Sequence, residues 1–141
     1  MRKIIAVVLV LACGKVSFAQ CGKAVILTSS KTEYLDGANT VQRTVDEKST
    51  IEINKTEIII TPSNVERKMT GIIKADSCNW TKSFKDGKSV IKAEFVKEGE
   101  DARNATITIE GKEGKVIFLM EVAEMPDRKI RVLAETFEEK K

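Results

Sequence analysis

Apolar and polar residues alternate along most of this chain with a period of two, the mark of β-strands that bury one face. Ala24-Val25-Ile26-Leu27-Thr28 is a short β-branched run and predicts a first strand. An extended piece ends at Tyr34-Leu35-Asp36-Gly37 with an Asp-Gly turn, and Val41 to Val45 is a candidate second strand. Thr50 to Thr61 predicts a hairpin: Ile51 and Ile53 flank Glu52, Asn54-Lys55 turns, and Glu57-Ile58-Ile59-Ile60 returns. A two-residue loop beginning with Asn suits a primed turn, because Asn tolerates positive φ. Pro62 stops the return strand, since it has no N–H for a ladder.

Met69 to Ala75 predicts another strand, interrupted by Asp76-Ser77-Cys78-Asn79, with Trp80 and Phe84 beyond. Asp86-Gly87-Lys88 has turn composition. In Val90 to Val96, Ile91, Ala93 and Phe95 point one way and Lys92 and Glu94 the other. Glu98-Gly99-Glu100-Asp101 is a polar loop. Thr106 to Ile109 alternates, Gly111-Lys112-Glu113-Gly114 turns, and Val116 to Met120 returns. Met125-Pro126-Asp127-Arg128 places Pro where a type I turn favours it. Ile130 and Val132 then alternate with Lys129 and Arg131 in a last strand, and residues 136–141 form a charged tail with room for one helical turn.

Strand candidates recur about every ten residues with turn signals between them, and no helix-period segment competes. The fold class is therefore all-β: an antiparallel meander of about eight to ten strands. An up-and-down barrel is its favoured closure because it removes exposed edges; a β-sandwich is the alternative.

The N-terminus departs from this pattern. Met1-Arg2-Lys3 precedes an uncharged run from Ile4 to Ala12, too short to span a bilayer, which takes ~20 apolar residues. Ser17-Phe18-Ala19 supplies small residues at a signal-peptidase-like site. Residues 1–19 are thus expected to be a cleaved signal peptide, and residues 20–141 a single secreted or periplasmic β domain. A rival processing exists: Val10-Leu11-Ala12-Cys13 is similar to a bacterial lipobox, and lipidation of Cys13 would anchor the protein to a membrane. Without that lipid no membrane association is expected.

Loss of the signal changes the charge argument. The chain has 24 Lys and Arg against 21 Asp and Glu. Arg2, Lys3 and Lys15 leave with the signal, which holds no acid, so 21 basic side chains face 21 acidic ones. Signs are interspersed, as in Lys92, Glu94, Lys97 and Glu98, and nucleic-acid binding is not expected. Two cysteines remain, Cys21 and Cys78. An even pair in an exported protein is expected to form a disulfide, closing a loop of about 57 residues.

The chain has no histidine, which removes the Ser-His-Asp triad, the Cys-His dyad and His-based zinc sites. No Gly-rich phosphate loop or calcium-spaced acidic loop is present, so neither metal nor cofactor is expected. Of the carboxylates, only Glu121 and Glu124, beside Val122 and Met125, have apolar neighbours that could raise a pKa; a solvated strand end explains them as well. No enzyme activity is expected. Asn54-Lys55-Thr56, Asn79-Trp80-Thr81 and Asn104-Ala105-Thr106 are glycosylation sequons, of a kind that Asn- and Thr-rich strands also generate by chance.

The run of hairpins, with Ile107-Thr108-Ile109-Glu110-Gly111-Lys112-Glu113-Gly114-Lys115 near the C-terminus, resembles small lipocalin-like or fatty-acid-binding-like barrels. The resemblance is architectural. The lipocalin Gly-x-Trp signature is absent, since the only tryptophan is Trp80, and no family residue transfers to a position here. It implies a barrel holding a small apolar molecule. Trp80, Phe84, Phe95 and Phe118 are the candidate ligand-lining residues, with core filling as their alternative role. The expectation is an exported binding module for a small apolar ligand. Its rival is an envelope or extracellular protein-interaction domain with a solid core, and an enzyme inhibitor would lack a bait residue in its loop at 98–103.

Overall fold

Val25, Leu27 and Ser29 project to one side of the first strand and are buried, while Ile26 and Thr28 on the other side are partly exposed. The same period-two burial runs through the chain in a computed structural model that describes residues 21–63, 65–97 and 99–140. The expected signal peptide, with Cys13, lies outside the described residues. Nine strands are present among the described residues: β1 (Val25–Leu35), β2 (Val41–Ile53), β3 (Glu57–Thr61), β4 (Met69–Lys82), β5 (Asp86–Phe95), β6 (Arg103–Lys112), β7 (Lys115–Val122), β8 (Met125–Leu133) and β9 (Thr136–Glu139). Each of β1 to β7 pairs antiparallel with the next, and β8 pairs back onto β1, so eight strands close into a barrel. The closure is the expected barrel rather than the sandwich.

The seam that closes the ring is shared. β1 pairs with β2 along its whole length, with β8 through Thr32–Leu35 and with β9 through Val25–Thr28. β9 continues the line of β8 in one register along β1, with Thr32 opposite Val132 and Thr28 opposite Thr136. The expected helical turn at the tail is thus a strand. A chain with one apolar residue in four, Phe137, offers no period to read, and the pairing is supplied by the free edge of β1.

On the outer face of this seam Glu33 and Arg131 are directly opposite, joined by two hydrogen bonds of 3.1 Å. The Arg131 hydrogen bonds hold the Glu33 carboxyl below its usual range despite partial burial. A depressed folded-state pKa means stability that is present above the ordinary Glu pKa and lost as pH falls through the folded value. The pair is partly exposed, so its effect is small. Glu33→Gln is expected to cost less than about 1 kcal/mol at pH 7. The wild-type advantage should vanish in acid, as read by urea melts across pH; an advantage unchanged in acid would remove this pair as its source.

Several turns sit up to three residues from their expected positions, each for a physical reason. The hairpin at Asn54 uses no positive φ. The Asn54 side-chain carbonyl instead accepts from the Thr56 and Glu57 N–H groups at 2.9 and 2.8 Å. β4 is not interrupted at Asp76–Asn79; a register shift between Ile73 and Ala75 absorbs the irregularity and the strand runs on. The β4–β5 turn is Ser83–Lys85, with Phe84 at φ 63°, while Asp86 and Gly87 begin β5. Glu113 and Gly114 both have positive φ and make the β6–β7 turn alone, leaving Gly111 in β6. The β7–β8 turn is Ala123-Glu124. Pro126 lies inside β8 at a register shift, where no ladder N–H is required of it.

The turn end of the barrel is packed around Trp80, apart from a smaller cavity beside the disulfide. Trp80 is 2% exposed and lies across a cross-strand glycine pair, Gly87 and Gly111. A Cβ on Gly111 would come within 2.6 Å of the indole and 2.8 Å of the Lys85 carbonyl, so only glycine admits the ring. Phe137 packs on Trp80 at 5.7 Å and edge-on to Phe84 at 5.0 Å. Cys21 and Cys78 are joined in the expected disulfide beside this cluster. The Trp80 indole N–H donates to the Ser89 hydroxyl at 2.8 Å, and that hydroxyl lies 3.5 Å from the Cys78 sulfur.

Candidate functional site

The two ends of the barrel are built differently. Short turns at Asn54–Thr56, Ser83–Lys85 and Glu113-Gly114 close the aromatic end. At the other end the β3–β4 and β5–β6 connections are long, spanning 62–68 and 96–102. The wall residues there do not meet across the barrel. They leave a cavity of about 520 Å³ open to solvent between those two loops. That size lies within the range of small-molecule sites, roughly 300–1,000 Å³.

The cavity wall is mostly apolar. Ile51 and Ile60 come from β2 and β3, Phe95 from β5, Phe118 and Met120 from β7, and Ile130 and Val132 from β8. Each is an inward position of the period-two pattern, and β2 shows how the wall changes along one strand. Ile53 and Ile51 are buried in the core, Ser49 is the next inward residue, and half-buried Glu47 the one after, towards the mouth. Thr32 on β1 adds a second buried hydroxyl to this side. Tyr34 lines the same side nearer the mouth, with the Arg43 guanidinium stacked 4.4 Å from its ring centroid.

Charge is confined to the rim. Arg67, Lys68, Lys97 and Arg103 are exposed there, alongside Glu66, Glu100 and Asp101. With Glu47 the two signs balance, so the mouth does not select by net charge. Arg103 also directs a guanidinium N–H to the Met125 sulfur at 3.3 Å.

The four aromatic residues singled out from sequence are divided between the two ends. Phe95 and Phe118 line the open cavity. Trp80 and Phe84 belong to the aromatic cluster at the closed end, and neither lines that cavity. A smaller cavity of about 290 Å³ beside the disulfide is bordered by Cys21, Val25, Ile53, Ser89 and Phe137. Sequence reasoning passed over Thr32, Glu47 and Ser49. The signal was available for Glu47 and Ser49, polar residues in phase with Ile51 and Ile53 on the face that should be apolar; Thr32 is out of phase with Val25 and Leu27 and comes to the inner face only past the register shift between Ser29 and Lys31.

The carboxylates at the β7–β8 turn have structural partners. Glu124 accepts the Asn104 backbone N–H at 3.0 and 3.1 Å, and this bond draws its pKa down rather than up. Glu121 pairs with Lys129 at 3.2 Å. The three sequon asparagines, Asn54, Asn79 and Asn104, are exposed. Comparison of the chain with family models, with curated proteins and with solved structures finds no match.

Proposed function

We propose that this protein is an exported binding module that carries a small apolar ligand in the open half of its barrel. The observation that carries the reading is the cavity of about 520 Å³ with a largely apolar wall. A solid-core interaction domain requires the inward face to be packed from end to end. Here Ile107 and Trp80 pack the closed half around a smaller cavity of about 290 Å³ beside the disulfide, while Ile60, Phe95, Met120 and Ile130 border the larger open space. The long loops around the mouth give a ligand a way in, and the disulfide is compatible with an oxidising, extracytoplasmic location. The architectural likeness to lipocalin-like barrels points the same way.

Titration with Nile red, an uncharged apolar dye, tests the reading. The oxidised protein is expected to bind the dye with a blue-shifted emission. Ile130 borders the cavity and is only partly buried, so a larger side chain there has room to enter. Ile130→Trp should weaken dye binding at least tenfold while leaving the β-sheet circular dichroism unchanged. Equal dye binding by both proteins would place the dye elsewhere and remove the cavity as the site.

A further inference from the structure

We infer that two copies of this chain associate through the free edge of β2, the two strands lying antiparallel and centred on Thr44. The edge exists because β2 outruns its neighbour. β2 pairs with β1 from Ile53 to Val41, but β3 covers only Thr50 to Ile53 on its other side. The Ser63 hydroxyl donates to the Lys48 carbonyl at 3.0 Å and occupies the edge just beyond that hairpin. From Val41 to Glu47 the second side of β2 pairs with no strand among the described residues. Val41 to Thr44 and Asp46 are exposed, and the segment holds no Pro, Gly or Lys. Pro and Lys are among the residues that blunt an open edge; without them, its unpaired backbone N–H and C=O groups are a template for another strand.

The side chains of this segment complement a second copy of themselves. Glu47 lines the cavity, Val45 is opposite the buried Thr32 and Arg43 is opposite Tyr34, so these three share the inner face of β2. A two-fold axis normal to the sheet keeps the inner faces on one side and allows only pairings of residues that share a face. Centred on Thr44, the pairing sets Val41 opposite Glu47, Gln42 opposite Asp46 and Arg43 opposite Val45. Arg43 is then diagonal to Glu47 of the second copy, within reach of a long side chain, and the contact occurs twice. Neither side chain has an ion-pair partner among the described residues; the Arg43 guanidinium rests on the Tyr34 ring at 4.4 Å. A centre at Arg43 or Asp46 would set that charge against itself. A centre at Val45 would bring Gln42 opposite Lys48, where Ser63 already sits.

Two short strands make a small interface, below the ~1,200 Å² of stable complexes, so the dimer should dissociate on dilution. Sedimentation velocity of the oxidised protein from about 5 to about 500 µM is expected to show a monomer–dimer equilibrium that shifts by mass action. Arg43→Glu and Glu47→Arg each set like charges at both diagonal contacts and should weaken association about tenfold, with the β-sheet circular dichroism unchanged. The double variant Arg43→Glu, Glu47→Arg restores opposite charges and should return to within about threefold of wild type. Four residues along a strand span ~13 Å, so the two side chains do not meet within one chain and the recovery reports the contact between copies. A wild type that stays monomeric at the highest concentration would overturn the inference and leave the edge to an extended segment of another protein. A dimer that both single changes leave intact would move the contact to another surface. Losses in the single variants that the double variant does not recover would refute the pairing.

Discussion

Replacing Trp80 by alanine is expected to destabilise the barrel by about 3–5 kcal/mol, the usual loss when a large buried aromatic is truncated. Three effects combine at this position. The indole is almost fully buried, and it covers two glycines that present no side chain of their own. Its removal therefore opens a void that Gly87 and Gly111 cannot fill. It also strips Phe137 of one of its two ring partners, leaving Phe84, and Phe137 is the only apolar residue in β9, so the C-terminal strand is held less firmly to the closed end. Last, the Ser89 hydroxyl loses the indole donor. Trp80→Phe restores most of the ring and should recover more than half of the loss. Urea unfolding followed by far-ultraviolet circular dichroism measures both variants. A Trp80→Ala protein within about 1 kcal/mol of wild type would refute the packing argument. Because Trp80 is remote from the open cavity, Trp80→Phe should bind Nile red as tightly as the wild type.

Removal of the disulfide, by reduction or by the double change Cys21→Ser and Cys78→Ser, is expected to cost about 4 kcal/mol. The bond joins residues separated by 57 positions, and closing a loop of that length in the unfolded chain gives this figure by the chain-entropy estimate. Local geometry adds to the effect. Cys21 precedes β1 and Cys78 lies in β4, across the closed end, so the bond pins the start of the first strand to a strand it does not pair with. Against a typical domain stability of about 5–15 kcal/mol the loss is large, and a melting-temperature drop of more than about 10 °C follows. Trp80 fluorescence reports the transition, since its indole N–H reaches the Cys78 sulfur through Ser89. Oxidised and reduced forms that melt together would contradict the stabilising role of the bond.

The parts of this fold that were legible in the sequence are those where one face is buried along a whole strand. Ile91-Lys92-Ala93-Glu94-Phe95 and Thr106-Ile107-Thr108-Ile109 allow a single register, because a slip of one residue would expose the isoleucines. Turn positions were less legible, because composition marks several adjacent residues equally. Asp86-Gly87-Lys88 reads as a turn, yet Gly87 is needed under the Trp80 ring, and that demand comes from a residue across the sheet. Pro126 reads as a turn former, yet a register shift lets it sit within β8. β9 was invisible because its pairing partner is far away in sequence. The candidate site was half legible. Phe95 and Phe118 stand on inward faces of regular strands, and so they could be placed. Which aromatic residues fill the barrel and which border open space depends on loop lengths at the two ends, and no strand pattern encodes that.

Native mass spectrometry of the protein purified from the cells that make it tests the central claim most directly. The account predicts an oxidised chain carrying an additional small mass that is lost on denaturation, its value matching a small apolar molecule. A bare chain that also fails to take up Nile red would contradict the account and leave a protein whose open cavity holds only water.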